Sequence, residues 1–327
     1  MKRIFLILSF LQLCLCKTEA QFFNASAKDI EKLKNRTLIV VLQESDPAFE
    51  KRISKHPEKL KRYNTIISET NETLKKYALK YWTINDIDFK SYSQIKDGHK
   101  EDTSFFTLNF SSLQDDIEML VQKDYTREEL LAVVNPGAIE IKLMEHFKGA
   151  PVYVWNTPTA YPFEGDLIIA IQQIRNFFSF KYEDLKFNLK SYAQLTSTLS
   201  FNIAYKTLLL DSAQVKKYEN SFNYIQQEYS HPYKLTNFAE IINTIKSRDT
   251  NYAYIAIIPY HDEIGRGGTY EGAMGGGMSN FSQEYFYIHL VIDASSSTII
   301  SMGSASMFWN LNNFDRVIDK YSLKTIR

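Results

Sequence analysis

Two short apolar runs, far apart in the chain, constrain its fold more than any other feature. Residues 36–42 read Arg-Thr-Leu-Ile-Val-Val-Leu, and residues 206–211 read Lys-Thr-Leu-Leu-Leu-Asp. A run without polar alternation is typical of a strand that is buried on both faces. Because such strands lie in sheets covered by helices, and a helical pattern follows each run, the sequence predicts an α/β fold.

Helices are predicted from apolar residues at helical spacing. Asp46 and Pro47 are suited to begin a helix, as N-cap and first-turn residue. Between Phe49 and Trp82 the pattern continues, and Pro57 is expected to divide it into a short and a long helix. A long helix packed on a sheet is one interpretation, and a coiled coil is the other. Further helices are predicted over residues 113–122, 126–134, 166–178, 185–199, 214–229, 238–247 and 307–321.

Additional strands are indicated by runs of β-branched and aromatic residues. The last two are expected to form an antiparallel hairpin around residues 293–297. Residues 86–95 are interpreted as a connecting segment. The predicted strands cover residues 103–110, 150–155, 231–236, 252–259, 285–292 and 298–302.

The similarity of the two apolar runs suggests two layered α/β halves with mixed sheets, either an internal duplication or two ordinary α/β units. In the second half, the C-terminal antiparallel hairpin follows a long glycine-rich loop. The expected organisation is a signal peptide over residues 1–20, an N-terminal half over 21–165, a helical connection over 166–199 and a C-terminal half over 200–327.

The first 20 residues have the pattern of a signal peptide. Lys2 and Arg3 precede an apolar segment, Ile4 to Leu15, that is too short to span a bilayer. Cleavage is expected after Ala20, which predicts export to the periplasm or the medium. The charges are balanced, with 38 Lys plus Arg and 38 Asp plus Glu, so no basic excess points to nucleic acid or an anionic membrane.

The two cysteines of the chain, Cys14 and Cys16, lie in this N-terminal segment. A lipoprotein is the alternative interpretation, but Leu13 and Leu15 stand where a lipid-modified cysteine requires a small residue. Cleavage after Ala20 leaves a mature chain without cysteine, which excludes disulfides, thiolate metal sites and cysteine nucleophiles.

A glycine-rich stretch between two predicted strands is the first candidate site. Its backbone could approach a ligand closely, and Arg266 could pair with an anion. It matches neither a Walker A sequence nor the dinucleotide-binding fingerprint, so a long hairpin loop is the alternative. The candidate partner-binding residues are Gly265, Arg266, Gly267, Gly268, Tyr270, Gly275, Gly276 and Gly277.

Weak catalytic candidates stand beside this loop, where His261, Asp262 and Glu263 end a predicted strand. A histidine with two carboxylates could act in acid–base chemistry. Adjacent residues on an extended chain point apart, however, so they need a turn to converge. His289 lies within a predicted strand and is interpreted as structural. No metal site or cofactor is predicted.

An aromatic cluster surrounds Pro158 and Pro162. If exposed, its rings would form a platform for carbohydrate or peptide; if buried, they would fill the space between the halves. This candidate aromatic cleft consists of Tyr153, Trp155, Tyr161 and Phe163.

The signal ending before Gln21, the Lys206–Asp211 run and the stretch Asp249-Thr-Asn-Tyr-Ala-Tyr254 resemble uncharacterised secreted proteins of Bacteroidota-type bacteria. The resemblance covers about residues 200–302. It implies export and an α/β fold, and it brings no catalytic residues.

Two functions remain open from the sequence. The first is an exported, non-enzymatic binding or envelope-associated protein that engages an envelope protein, a peptide or a small ligand through the cleft between its halves or the glycine-rich loop. The second is an exported hydrolase with its site near His261–Glu263 under that loop. Neither reading involves a nucleic-acid partner or an integral membrane segment.

Overall fold

The computed structural model describes residues 26–98, 104–111, 113–123, 125–133, 136–145, 148–159, 161–187, 189–217, 221–261, 285–304 and 317–326. Within them lie two five-stranded sheets, each with parallel and antiparallel neighbours, and many helices. The predicted α/β fold of two halves is therefore confirmed.

The N-terminal sheet has the order β2-β1-β3-β4-β5. Strand β1 lies parallel to β2 and β3, whereas β3, β4 and β5 are antiparallel neighbours. The strands are β1 (Leu38–Leu42), β2 (Ile87–Ser91), β3 (Ser104–Ser111), β4 (Gly137–Glu145) and β5 (Lys148–Thr157).

The C-terminal sheet repeats this arrangement. Its order is β10-β9-β8-β6-β7, with β6 parallel to β7 and β8, and with β8, β9 and β10 antiparallel. Leu38 pairs with the first residue of β2, and Leu208 pairs in the same way with the first residue of β7, so the two leucines are equivalent. The strands are β6 (Thr207–Asp211), β7 (Tyr233–Thr236), β8 (Tyr252–His261), β9 (Tyr285–Asp293) and β10 (Ile299–Ser304).

The helices before and between the sheets are α1 (Ala27–Lys34), α2 (Pro47–Ile53), α3 (Pro57–Tyr81), α4 (Tyr92–Gly98), α5 (Leu113–Gln122), α6 (Arg127–Val133), α7 (Glu164–Glu183) and α8 (Leu189–Leu199). A 3-10 helix (Ser200–Tyr205), α9 (Tyr224–Glu228), α10 (Phe238–Ser247) and α11 (Lys320–Thr325) follow. None of the described helices combines the length and the apolar character needed to cross a membrane.

The main core lies between the two sheets, where α3, α7 and α10 pack together. Leu209 of β6 faces this core, while its neighbours Leu208 and Leu210 face a second core on the outer side of the C-terminal sheet. Both faces of β6 are thus buried, which explains its uninterrupted apolar run. Close packing continues at Gly165, where a Cβ would lie 2.2 Å from Ile242 Cδ1.

The local predictions for the helices near the first strand are confirmed. Asp46 caps α2, because its side chain accepts a hydrogen bond from the Ala48 amide at 2.8 Å. Pro57 begins α3, so the helical segment is divided there. Helix α3 packs on α7 and against the N-terminal sheet, as the non-coiled-coil interpretation predicted.

Two element predictions were wrong. Residues 86–95 contain the edge strand β2, whose five residues are too few and too polar to stand out from a connection. Residues 214–229 were predicted as one helix, but among the described residues of this range only Tyr224–Glu228 are helical. Near the beginning of the predicted segment, Val215 pairs with Ile318 in an isolated parallel bridge. This tertiary contact overrides the local helical pattern.

Candidate functional site

The candidate site lies at the carboxyl end of β6, which ends at Asp211. Strand β6 has a parallel neighbour on each side, and the chain leaves β6 toward β7 but leaves β8 toward β9. In open α/β sheets, ligands bind in the crevice where connections diverge in this way. Ser212 and Ala213, directly after Asp211, are exposed, so the site lies close below the surface.

A buried guanidinium between two buried carboxylates forms the centre of this site. Arg127 Nη2 lies 3.2 Å from Asp166 Oδ1, and Arg127 Nη1 lies 3.6 Å from Asp211 Oδ2. Arg127 is 7% exposed, and each aspartate is 3% exposed. The guanidinium carbon also stands 3.5 Å from the centre of the Phe238 ring, in cation–π geometry.

Four different segments supply these groups. Arg127 is the first residue of α6. Thr126 and Glu129 form a capping box at the start of this helix. Asp166 lies in the first turn of α7, and Asp211 follows the buried run of β6. Gln214 lies in the turn after β6, where its backbone amide donates to the Asp211 carbonyl at 2.8 Å. We call Arg127, Asp166, Asp211 and Gln214 the inter-half site.

The inter-half site has hydrogen-bonding capacity that the described residues leave unused. Five buried atoms have no hydrogen-bond partner among them: Arg127 Nε and Nη1, Asp166 Oδ2, Asp211 Oδ2 and Gln214 Nε2. Arg127, Asp166 and Gln214 line a cavity of about 20 Å³, which is room for about one water-sized group. Asp211 does not line this cavity but lies next to Arg127, with its Oδ2 3.6 Å from Nη1. The cavity wall also includes Trp155, Pro158, Ile169, Phe238, Tyr254, Ile255, Ala256, Ile257 and Ile258.

Electrostatics at the site are set by burial and by nearby partial charges. Burial raises the pKa of Asp211, while the Ala213 amide and the Arg127 guanidinium act in the opposite direction and Glu128 adds a small increase. Asp166 lies at the amino end of α7, and Phe238 is the first residue of α10. The amino ends of helices carry partial positive charge, which favours the nearby carboxylates.

The N-terminal sheet lacks this charge at the matching position. Since Leu38 and Leu208 occupy equivalent places, the residue equivalent to Asp211 is Val41. The backbone just after β1 instead forms hydrogen bonds with the side chain of Asn71. This side chain donates to the Gln43 carbonyl at 3.0 Å and accepts from the Gln43 amide at 2.8 Å. The buried charged site is therefore a property of the C-terminal sheet and not of the shared topology.

Polar contacts away from the inter-half site also join the two halves. Gln173 and Asn176 both donate to the Ser297 carbonyl, at 2.8 and 2.7 Å. Asn156 of β5 donates to the Pro259 carbonyl of β8 at 2.9 Å. These bonds hold the two sheets in fixed positions around the inter-half site.

The structure does not show the three catalytic candidates together, because two of them lie outside the described residues. His261 is the last residue of β8, whereas Asp262 and Glu263 lie outside the described residues, as does the whole glycine-rich stretch from Gly265 to Gly277. His289 lies in β9 with 1% exposure, and neither ring nitrogen has a hydrogen-bond partner within the described part of the chain.

The aromatic cluster divides into a buried and a half-buried pair. Tyr153 stacks on Phe177 at 4.4 Å between ring centres, and Trp155 lines the cavity of the inter-half site. Both are 4% exposed. Tyr161 and Phe163 are half-buried and meet edge to face at 5.4 Å. Tyr153 and Trp155 thus fill space between the halves and do not form an exposed platform.

Within the described ranges, no group of three or more histidine, cysteine, aspartate or glutamate side chains is placed to hold a metal ion. The sequence matches no family model, and comparisons with curated proteins and with solved structures return no match. The geometry of the inter-half site is therefore the basis for a functional conclusion.

Proposed function

We propose that this chain is an exported, non-enzymatic binding protein whose small ligand occupies the inter-half site. The observation that carries the proposal is that three residues lining one cavity carry four buried polar atoms without partners among the described residues. Leaving a buried donor or acceptor unpaired costs about 1–3 kcal/mol. A ligand that bonds to several of them would recover much of that cost, which is the usual thermodynamic basis of a polar binding site.

The location supports the same conclusion. The site combines the carboxyl end of a central parallel strand with residues from the other half, so a ligand there would contact both halves. Trp155 and Phe238 supply aromatic surface beside the polar atoms. A mainly apolar wall with a few convergent polar groups is typical of small-molecule sites.

Fluorine NMR of protein labelled with 5-fluorotryptophan tests this proposal. The chain has three tryptophans, of which Trp155 lines the cavity, while Trp82 lies in the core with its indole N–H bonded to Asn85. The Trp155 signal is assigned by Trp155→Phe. The protein is then titrated with small sugars, polyols, amines and carboxylates.

We expect at least one class to shift the Trp155 signal in a saturable way while the Trp82 signal stays in place. The compound should also be recovered chemically unchanged. If no class moves the Trp155 signal, the proposed site is wrong. A shifted signal with hydrolysed compound would overturn the non-enzymatic assignment in favour of the hydrolase.

Export is the second part of the proposal, supported by Lys2, Arg3, the apolar segment and Ala20. In a Gram-negative host we expect the mature chain to begin at Gln21, as measured by intact mass. Ala20→Trp should block cleavage, because the bulky side chain does not fit at the residue before the cut. Cys16→Ser is the control and should leave the mass of the mature chain unchanged. Uncleaved protein, or lipid on Cys16, would contradict this assignment.

A further inference from the structure

We infer that the ligand of the inter-half site is a neutral hydroxylated molecule of the sugar or polyol class, which places one hydroxyl between the Asp166 carboxylate and the Arg127–Gln214 donors. This inference rests on the proposed function and names the chemistry of its ligand.

The unpaired atoms of the inter-half site include both acceptors and donors of hydrogen bonds. Asp166 Oδ2 and Asp211 Oδ2 are acceptors, whereas Arg127 Nε, Arg127 Nη1 and Gln214 Nε2 are donors. An ammonium group can only donate and would leave the three donors unpaired, whereas a carboxylate can only accept and would leave the carboxylate oxygens unpaired. A hydroxyl donates one hydrogen bond and accepts up to two, so it serves both kinds of atom at once.

The charges around the inter-half site favour a neutral ligand group. Arg127 contributes +1, and the amino ends of α7 and α10 contribute about +0.5 each. The two aspartates contribute about −2 when both are ionised, so the charges of the site cancel in this first-order sum. A charged ligand group would therefore be buried without a counter-ion, which is costly. A neutral group adds no such cost.

The size of the cavity and the spacing of its polar atoms fit a hydroxyl group. The cavity of about 20 Å³ admits a group the size of a water molecule, and a hydroxyl has that size. Arg127 Nη1 and Asp211 Oδ2 are separated by 3.6 Å, longer than a normal hydrogen bond, so a third group can bond to either of them without breaking a bond already made.

The experiment uses three probes of the same carbon number. Propane-1,2-diol, propylammonium and propionate are titrated separately into the 5-fluorotryptophan protein, followed by D-glucose. We expect propane-1,2-diol or D-glucose to shift the Trp155 signal in a saturable way, and neither propylammonium nor propionate to do so. If only the amine or only the carboxylate shifts this signal, the hydroxyl assignment is overturned while the binding site itself stands.

A matched pair of variants adds a test that does not depend on probe size. Gln214→Met removes one donor from the site at nearly constant volume. Gln172→Met changes another glutamine that is 2% exposed but does not line the cavity. Loss of one hydrogen bond should weaken diol or glucose binding about fivefold in Gln214→Met. Equal affinities in the two variants would overturn the assignment of Gln214 as a ligand donor.

Discussion

Arg127→Met is expected to destabilise the protein by about 3–5 kcal/mol, the largest loss that we predict for a single substitution. The change keeps much of the side-chain volume but removes the guanidinium that lies 3.2 Å from Asp166 and 3.6 Å from Asp211. Two carboxylates that are each 3% exposed would then be buried without their counter-ion. Urea unfolding followed by tyrosine and tryptophan fluorescence measures the loss.

The matched control is Arg52→Met. Arg52 pairs with Glu118 at the surface, where its side chain is 63% exposed, so we expect a loss of less than about 1 kcal/mol. The triple variant Arg127→Met, Asp166→Asn, Asp211→Asn should regain most of the stability, because it removes the uncompensated charges as well. A loss in Arg127→Met no larger than that in Arg52→Met would contradict the described burial of the charged cluster.

Wild-type protein is expected to lose about 3 kcal/mol of stability between pH 7 and pH 4 through His289 alone. Burial lowers the pKa of His289 to about 4 from its ordinary 6.5, and the Asp319 carboxylate acts in the opposite direction. The unfolded chain therefore binds a proton in this interval that the folded chain does not. The contribution of His289 to the free energy of unfolding is fully present above pH 6.5 and is lost as the pH falls through 4.

His289→Leu removes this titration, so the comparison is between the pH profiles of the two proteins. Other titrating groups contribute to both profiles and cancel in the difference. We expect the free energies of unfolding of wild type and variant to diverge by about 3 kcal/mol between pH 7 and pH 4, with wild type losing more. Parallel profiles would show that His289 is not buried in its neutral form.

The amino-acid pattern predicted those parts of the fold that local chemistry determines. The run of Leu208, Leu209 and Leu210 indicated a strand buried on both faces, and the structure places successive residues in different cores. Asp46 caps its helix as predicted. These residues carry their own signals, because capping and burial depend on a few neighbouring positions.

Elements that depend on distant partners were harder to predict. Strand β2 is a short edge strand whose residues are all half-buried, so it lacks a strong apolar pattern. The chain around Val215 leaves the helical conformation because it pairs with Ile318, more than 100 residues later. Tertiary contacts of this kind override local propensity.

The inter-half site was not predicted, because its members lie in separate parts of the chain. Each one left a small signal. Asp211 ends an apolar run, and Asp166 lies in the first turn of a helix, directly before the apolar residues Leu167 to Ile171. Either could have been a surface cap, and only the fold shows that both meet Arg127. The candidate aromatic residue Trp155 proved relevant through its place in the cavity wall.

The buried charges themselves need an explanation beyond stability. Replacing a buried ion pair or triad by apolar residues is often neutral or stabilising, so the Asp166–Arg127–Asp211 arrangement is weak evidence for a purely structural role. A binding site explains why the groups are buried, charged and only partly bonded. Val41 in the equivalent position of the N-terminal sheet shows that this topology also accommodates an apolar residue there.

Two crystal structures of the mature chain, one soaked with propane-1,2-diol and one without it, would show directly whether a hydroxyl occupies the inter-half site. We expect a diol oxygen within hydrogen-bonding distance of Asp166 Oδ2 and of Gln214 Nε2. The same single water in both crystals, or no bound group in either, would contradict the assignment of the inter-half site as a binding site for hydroxylated ligands.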